Sequence, residues 1–385
     1  MKKRFMILAL LLLFCFIVGC QEKEADVERF VEDGVEVVIN HLEPYKVERE
    51  ANTLHLVEEL TIDTENDDVA ATGLTFVQIF DVDSEGNLYF LNRKSGKNTV
   101  FKFDQNGNFI TSFGPKGGGP GELMSPFDLR VNYMGDIVIT DIVGKFVVFG
   151  KNGAYKKQVK TEQITGQVVP LENGNYLILK RIFNPAGNNV EWPLFLCGPK
   201  FETIKEIGRH KAPDFRGKWG FPLDSFSCCV SEGKIFIGNS ENGYEISVFD
   251  LAGNLEKKIR KKFLPAGVSE ELKKGIMKRI EGSFMKEGIF FRNQCPAFQY
   301  FFTDDEGHFF AMTYEAGQSP GEYIFDVFNS SGIFVSRIFM GNMLDTFSPL
   351  GITRRIATAK KGRLYCLKEK ESGYLELVIY RMLWE

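Results

Sequence analysis

Apolar and polar residues alternate along most of the chain in a pattern that repeats. An apolar stretch with a period of two is followed by a polar turn that ends in glycine, and a second apolar stretch comes directly after it. Alternation of this kind predicts a half-buried β-strand, and a short glycine turn between two such stretches predicts a hairpin. The glycines of the six copies are Gly86, Gly135, Gly174, Gly233, Gly307 and Gly362.

A second strand-and-turn phrase follows most copies, as in residues 100–108 (VFKFDQNGN) and residues 247–254 (SVFDLAGN). Each unit therefore supplies four short strands, which we name a to d in chain order. An isolated four-stranded meander leaves two faces and two edges bare, whereas six units stacked around an axis cover most of that surface. The sequence therefore predicts an all-β fold, a six-bladed β-propeller of four-stranded antiparallel blades.

The last unit has only three strands, because four residues remain after its strand c at residues 374–381. Residues 54–62 (LHLVEELTI) alternate in the same way, precede the first unit and have no partner there. We therefore predict that this N-terminal strand pairs with the last blade and closes the ring.

One helical insertion is predicted near residues 268–288. Ser269 is a residue type that caps helix N-termini, and Leu272, Ile276 and Ile280 recur at helical spacing after it.

The first 20 residues have a different character. Lys2, Lys3 and Arg4 precede an apolar run at residues 5–18 that is shorter than the roughly 20 residues needed to cross a bilayer, which predicts a secretion signal. The run ends in Ile17-Val18-Gly19-Cys20, where the sequence resembles a bacterial lipoprotein signal, and that resemblance implies acylation of Cys20. A simple membrane anchor, or an ordinary signal peptide with a chance cysteine, is the alternative.

Three segments follow from this interpretation: a signal peptide at residues 1–19, a lipidated tether at residues 20–50 and a propeller domain at residues 51–385. The early tether is polar and acidic, as flexible linkers often are. In having Gln21 directly after the cysteine, the sequence resembles lipoproteins of the outer membrane rather than those retained in the inner membrane. We therefore expect a lipid-anchored protein of the cell envelope, and of the outer membrane if the cell has two membranes. We expect the lipid anchor to be its only contact with the membrane.

The segment at residues 113–123 (FGPKGGGPGEL), followed by Pro126 and Asp128, carries a second resemblance. Here the sequence resembles the NHL-type six-bladed propellers, and more closely the six-bladed β-propeller lipoproteins of Bacteroidetes-like bacteria. In NHL repeats this segment links one blade to the next. The resemblance covers residues 54–385, but only this linker matches almost completely.

Composition and charge narrow the function. A formal net charge of −4 with 25% charged residues gives no indication of nucleic-acid binding, and we expect no nucleic-acid partner. The sequence has no CxxC, HExxH or HxH motif, so we predict no metal site and no cofactor. Local spacing brings no Ser, His and acidic residue together as a catalytic set, and we assign no catalytic residue. Five cysteines remain beyond Cys20, and we expect them to be buried thiols.

Two functional classes remain open. The first is a binding or scaffold module, monomeric, whose partner is an unidentified envelope protein, peptide or glycan. The second, implied by the NHL-like resemblance, is a hydrolase or lyase with its site in the central channel, as in lactonase-like propellers.

Topology separates the two faces of the predicted ring. The a–b turns with the six repeat glycines and the c–d turns lie on one side, the short-turn face. The b–c and d–a connections lie on the other, the long-connection face, which includes residues 114–126, 183–192, 210–226, 268–288 and 341–350. Since loops on a rigid scaffold often carry binding residues, we predict the partner site there. The candidate binding residues are Trp192, Arg216, Trp219, Arg292 and Arg354.

Overall fold

The alternating stretches form the strands of six sheets arranged as blades around one axis, in a computed structural model that describes most of the chain. The residues it describes are 27–47, 53–93, 99–142, 144–161, 165–184, 189–213, 217–317, 319, 321–341 and 355–385. The protein is an all-β, six-bladed propeller of mostly four-stranded antiparallel blades, as predicted.

Blades one and two are regular four-stranded meanders. Blade one consists of β4 (Phe80–Val82), β5 (Leu88–Asn92), β6 (Thr99–Phe103) and β7 (Phe109–Phe113). Blade two consists of β8 (Pro126–Val131), β9 (Ile137–Asp141), β10 (Lys145–Phe149) and β11 (Tyr155–Lys160).

Blades three and four carry additional strands. Blade three consists of β12 (Thr165–Pro170), β13 (Tyr176–Lys180), β15 (Asn189–Cys197) and β16 (Thr203–Pro213), with the short β14 (Ile182–Asn184) beside β15. Blade four consists of β18 (Phe226–Ser231), β19 (Lys234–Asn239), β20 (Glu245–Asp250) and β21 (Leu255–Lys261), with a 3₁₀ turn at Ser240–Asn242.

Blades five and six complete the ring. Blade five consists of β23 (Tyr300–Thr303), β24 (Phe309–Ala316), β25 (Glu322–Phe328) and β26 (Phe334–Gly341). Blade six consists of β27 (Ala357–Lys360), β28 (Arg363–Glu369), β29 (Leu375–Trp384) and β3 (Leu54–Asp63).

The predicted ring closure is confirmed. Strand β3 pairs antiparallel with β29 from Trp384↔Leu54 to Glu376↔Asp63. The N-terminal strand therefore supplies the outer strand of the last blade, and both chain segments share one hydrogen-bonded sheet. A short helix, α1 (Asp67–Ala71), capped by the Asn66 side chain, leads from this strand to blade one.

The expectation of a tether over residues 20–50 is wrong for part of that segment. Residues 28–40 form a hairpin of β1 (Glu28–Glu32) and β2 (Val35–Asn40), and β2 pairs parallel with β21 at the outer edge of blade four. Val37 and Val38 are fully buried, and Asn40 hydrogen-bonds to the Gly332 carbonyl at 2.9 Å. The hairpin forms because burial of these valines and pairing of an open sheet edge outweigh the polar character of the segment.

The helical insertion is also confirmed. Helix α2 (Glu270–Arg279) begins at Ser269, whose hydroxyl accepts a hydrogen bond from the Leu272 amide at 3.1 Å, and a 3₁₀ turn at Phe284–Glu287 follows it. After it, β22 (Ile289–Phe291) pairs parallel with β17 (Trp219–Phe221) from the linker between blades three and four. At Gly288 any Cβ would clash with the Gly217 carbonyl oxygen, so glycine permits this close approach.

Candidate functional site

A cavity of about 400 Å³ lies on the propeller axis. Residues from the innermost strand of every blade line it, since β4, β8, β12, β18, β23 and β27 all contribute. A site built this way draws its residues from six distant parts of the sequence and holds them on rigid strands.

The cavity belongs to the short-turn face. Exposed residues of the a–b turns form its rim in five of the blades. These rim residues are Ser84, Tyr133, Glu172, Glu232 and Asp305. Three of the five are acidic, so the entrance carries negative charge.

Turn geometry rather than ion binding explains the other acidic residues near the rim. Asp83 Oδ1 accepts hydrogen bonds from the backbone amides of Glu85 and Asn87 at 2.8 and 2.9 Å. Asp304 Oδ1 makes the equivalent bonds to Glu306 and His308 at 3.0 and 2.8 Å. Both side chains stabilise their own turns, as expected for aspartate at the first position of such a turn.

Arg130, Arg355 and Asp81 line the base of the cavity, and Asp128 lies behind them, where it lines only a smaller neighbouring cavity. Arg355 Nη1 donates a hydrogen bond to Asp81 Oδ1, while Asp81 also accepts the backbone amides of Val82 and Val131, both at 2.8 Å. Arg130 Nε lies 3.4 Å from Asp128 Oδ2 and donates to the Val168 carbonyl at 3.2 Å. These contacts hold both guanidinium groups in place at the axis.

The two base carboxyl groups are in different electrostatic states. Burial raises the pKa of Asp81, but the charges of Arg355, Arg130 and Lys360 and the Val131 amide outweigh it, so its net pKa is lowered. Burial also raises the pKa of Asp128, and there it outweighs the opposing charges of Arg130 and Arg355, so the net pKa is raised. Asp81 is therefore the ionised partner of Arg355 at the bottom of the cavity, and Asp128 is the carboxyl group that is protonated more easily.

The cavity wall contains phenol and thiol groups that are hard to ionise. Burial raises the pKa of Cys228 to about 12 and that of Tyr300 to about 12, and it also raises the pKa of Cys229. Tyr300 donates a hydrogen bond to the Ala357 carbonyl at 2.6 Å. Because a thiolate rather than a thiol is the nucleophile, these cysteines act as packing and lining groups at neutral pH. All five described cysteines are free, two of them only partly buried.

The space along the propeller axis narrows beyond Arg130 and Arg355. A second cavity of about 20 Å³, lined by Gln78, Phe127 and Gln167 among others, lies on the other side of Arg130 and Arg355. On the long-connection face the insertion extends to blade six, where Arg279 Nη2 lies 3.8 Å from Glu369 Oε2. Of these two cavities, the larger is thus the one at the short-turn end.

Two of the predicted binding residues need correction. Trp192 is 3% exposed and packs in the core between blades three and four, where it lies within β15 rather than in a loop. Trp219 is 1% exposed, packs against Ile276 and Ile280, and donates its indole N–H to the Met285 carbonyl at 2.9 Å. Neither side chain offers a stacking surface to a partner, because both are needed for packing.

The other predicted residues are not brought together. Arg292 is partly exposed on the long-connection face and pairs with Asp224 at 2.9 Å. Arg216, Arg354 and the lipidation candidate Cys20 lie outside the described residues. Two arginines reach the cavity, Arg130 and Arg355, and Arg355 is the immediate neighbour of Arg354.

Sequence reasoning missed the base of the cavity. One signal was available, because the innermost strands of blades one and two carry charged residues, rather than small or neutral polar ones, at the positions that alternate with their apolar residues. These are Asp81 in FDV and Asp128 and Arg130 in PFDLRV. A buried charge inside a strand needs a partner of opposite charge. For Asp81 this partner is Arg355, which closure of the ring brings from the other end of the chain.

No group of three or more His, Cys, Asp or Glu side chains in the described ranges is arranged to hold a metal ion. None of the helices in the described ranges is long and apolar enough to cross a bilayer.

The comparisons with known proteins agree on the fold. Residues 66–193 match the DUF5128 family, described as a 6-bladed beta-propeller. A crystal structure from Bacteroides fragilis, of a protein described as exported, has 12% sequence identity, a TM-score of 0.52 and coverage of 90% of this chain and 99% of the other. A DUF4221-family protein from Bacteroides vulgatus has 13% identity, a TM-score of 0.51 and coverage of 87% and 100%. No curated protein matches the chain.

Proposed function

We propose that this protein is a lipid-anchored binding or scaffold propeller of the cell envelope and that its axial cavity is the ligand site. The observation that carries the proposal is the cavity of about 400 Å³ at the short-turn face, lined by every blade and containing fixed charged groups at its base. Concave sites of a few hundred Å³ with a small number of placed polar groups are typical of small-ligand binding.

Two further observations support the envelope location. The lipoprotein-like boundary Gly19-Cys20 follows an apolar run of signal-peptide length. The Bacteroides fragilis protein of similar fold is described as exported. The lipoprotein character, the NHL-like kinship and the outer membrane as destination are part of this proposal.

The ligand site is tested by filling the cavity. Thr358 lines the cavity and is partly exposed, so Thr358→Trp should occupy it without disturbing the blade core. Native mass spectrometry of the protein purified from its own membranes should detect a bound small molecule in the wild type and none in this variant. Ser112→Trp, on the exposed outer strand of blade one, is the matched control and should retain the molecule. Equal retention by both variants would exclude the cavity as the site.

The anchor is tested separately. Cys20→Ala should move the protein from the membrane to the soluble fraction or block its processing, and mass spectrometry of the wild-type N-terminus should detect acyl chains. A wild-type protein without acyl chains would refute the anchor and leave the cavity proposal standing.

A further inference from the structure

The geometry of the cavity points to a class of ligand. We propose that the axial cavity binds a small zwitterionic ligand, of amino-acid or short-peptide size, with its carboxylate against Arg355 and Arg130 and its cationic group near the acidic rim. This inference rests on the proposed binding function and specifies its chemistry.

The base of the cavity has hydrogen-bond donors to offer. Arg355 uses Nη1 for Asp81, and Arg130 uses Nε for the Val168 carbonyl. Within the described part of the chain, Nε and Nη2 of Arg355 and both Nη atoms of Arg130 make no hydrogen bond. Arg130 is 4% exposed as a whole residue, and both arginines line the cavity. Planar guanidinium groups with free N–H donors are suited to bind a carboxylate through two parallel hydrogen bonds.

The charge balance at the base favours an anionic group. Arg355 and Arg130 are cationic at the base, Asp81 and Asp128 are the facing carboxyl groups, and Lys360 lies higher on the wall, at the a–b turn of blade six. Asp81 is already committed to two backbone amides and Arg355. Lys360 donates to the Val82 carbonyl at 3.0 Å and adds a charge that neither carboxylate directly neutralises. An incoming carboxylate therefore meets an excess of positive charge in a partly desolvated site.

The rim favours the opposite charge. Glu172, Glu232 and Asp305 are exposed at the entrance on three consecutive blades, three to five. A purely anionic ligand, such as a uronate sugar, would be repelled there, whereas an amine would be attracted. A ligand with a carboxylate at one end and an ammonium group at the other matches both regions. The volume of about 400 Å³ is sufficient for an amino acid or a short peptide.

The experiment compares three forms of one peptide on the full-length protein, purified from membranes in detergent. Isothermal titration calorimetry is run with tri-alanine, with its C-terminal amide and with its N-acetyl form. Loss of the carboxylate should weaken binding at least about tenfold, as expected for a charge-assisted bidentate contact. Loss of the amine should weaken binding by a smaller factor, because the rim is exposed to solvent.

Two protein variants assign the contact. Arg355→Lys keeps the charge but loses the planar fork, and it should weaken tri-alanine binding about tenfold while leaving binding of the amide unchanged. Arg209→Lys, on the outer strand of blade three and away from the cavity, is the matched control and should bind all three peptides as the wild type does. Because the comparison of acid with amide uses the wild type alone, the inference can be tested even if Arg355→Lys unfolds.

Three results would overturn the inference: no binding of tri-alanine at millimolar concentration, equal binding of acid and amide, or tighter binding of glucuronate than of tri-alanine. These results are distinguishable from failure of the binding function. If a molecule co-purifies with the wild type, is lost in Thr358→Trp and has no carboxylate, the cavity is the ligand site and only the ligand class is wrong.

Discussion

The two ends of the propeller axis are filled in different ways. At the long-connection end, the insertion and the linker strand β17 form a small apolar core around Trp219, Phe221, Ile276 and Ile280. At the short-turn end, short turns surround a polar cavity with arginines at its base. The described residues of two long connections, the insertion and the linker that contains β17, are thus packed against each other. Loop length alone is a poor guide to a binding site, because long segments must first bury their own apolar residues.

The largest expected effect is at the apolar end. Trp219→Ala should reduce the free energy of unfolding by about 3 to 5 kcal/mol, since a fully buried indole and its hydrogen bond to Met285 are lost. Chemical denaturation measures the change. Phe284→Ala, in the same insertion with 65% of the residue exposed, is the control and should cost less than about 0.5 kcal/mol. Equal costs for the two variants would mean that the apolar core around Trp219 does not form.

A second stability effect separates the two carboxyl groups at the polar end. Asp81→Asn should cost about 1 to 3 kcal/mol, because it removes the counter-ion of Arg355 in a buried site. Asp128→Asn should cost clearly less, because the raised pKa of Asp128 indicates that its charged form is disfavoured in the folded protein. Denaturation at pH 7 tests both. A larger loss for Asp128→Asn would reverse the assignment of the counter-ion.

The two N-terminal segments that join the blades, strand β3 and the hairpin of β1 and β2, could be predicted to different degrees. Closure by β3 was predictable, because counting strands leaves the last blade incomplete and residues 54–62 alternate. The hairpin at residues 28–40 was not, because blade four already has four strands and nothing in the repeat requires a fifth and a sixth. The apolar, β-branched residues of VEVVIN are typical of a strand, but the acidic residues that precede them favoured the prediction of a tether.

The site was less predictable than the fold. Trp192 is the last residue of the predicted connection 183–192, yet it lies in β15, which begins at Asn189 and continues to Cys197. Asp81, Arg130 and Arg355 lie in blades one and two and just before the innermost strand of blade six. Local spacing cannot reveal such a cluster, because only closure of the ring brings its members together.

The pH dependence offers a sharper test of the same two carboxyl groups. The folded-state pKa of Asp81 lies below its ordinary value of 3.8, so its ionised form stabilises the fold above that value. The stability difference between the wild type and Asp81→Asn should therefore be constant near neutral pH and shrink as the pH falls below about 4. For Asp128 the sign is reversed, and protonation at mildly acidic pH should favour the folded wild type relative to Asp128→Asn. Thermal melting of the three proteins between pH 3 and pH 7 measures this, and parallel curves would contradict it.

The smallest expected effect concerns Arg292, the predicted binding residue that remains partly exposed on the long-connection face. Its ion pair with Asp224 lies 2.9 Å apart at the surface, so Arg292→Ala should change stability by no more than about 1 kcal/mol. If the axial cavity is the ligand site, the variant should also bind tri-alanine as the wild type does, because the residue lies on the opposite face from the cavity entrance. Calorimetry and thermal melting on the same sample separate the two properties. Loss of binding with unchanged melting would move the site back to the long-connection face and would make the arginines at the base of the cavity structural rather than functional.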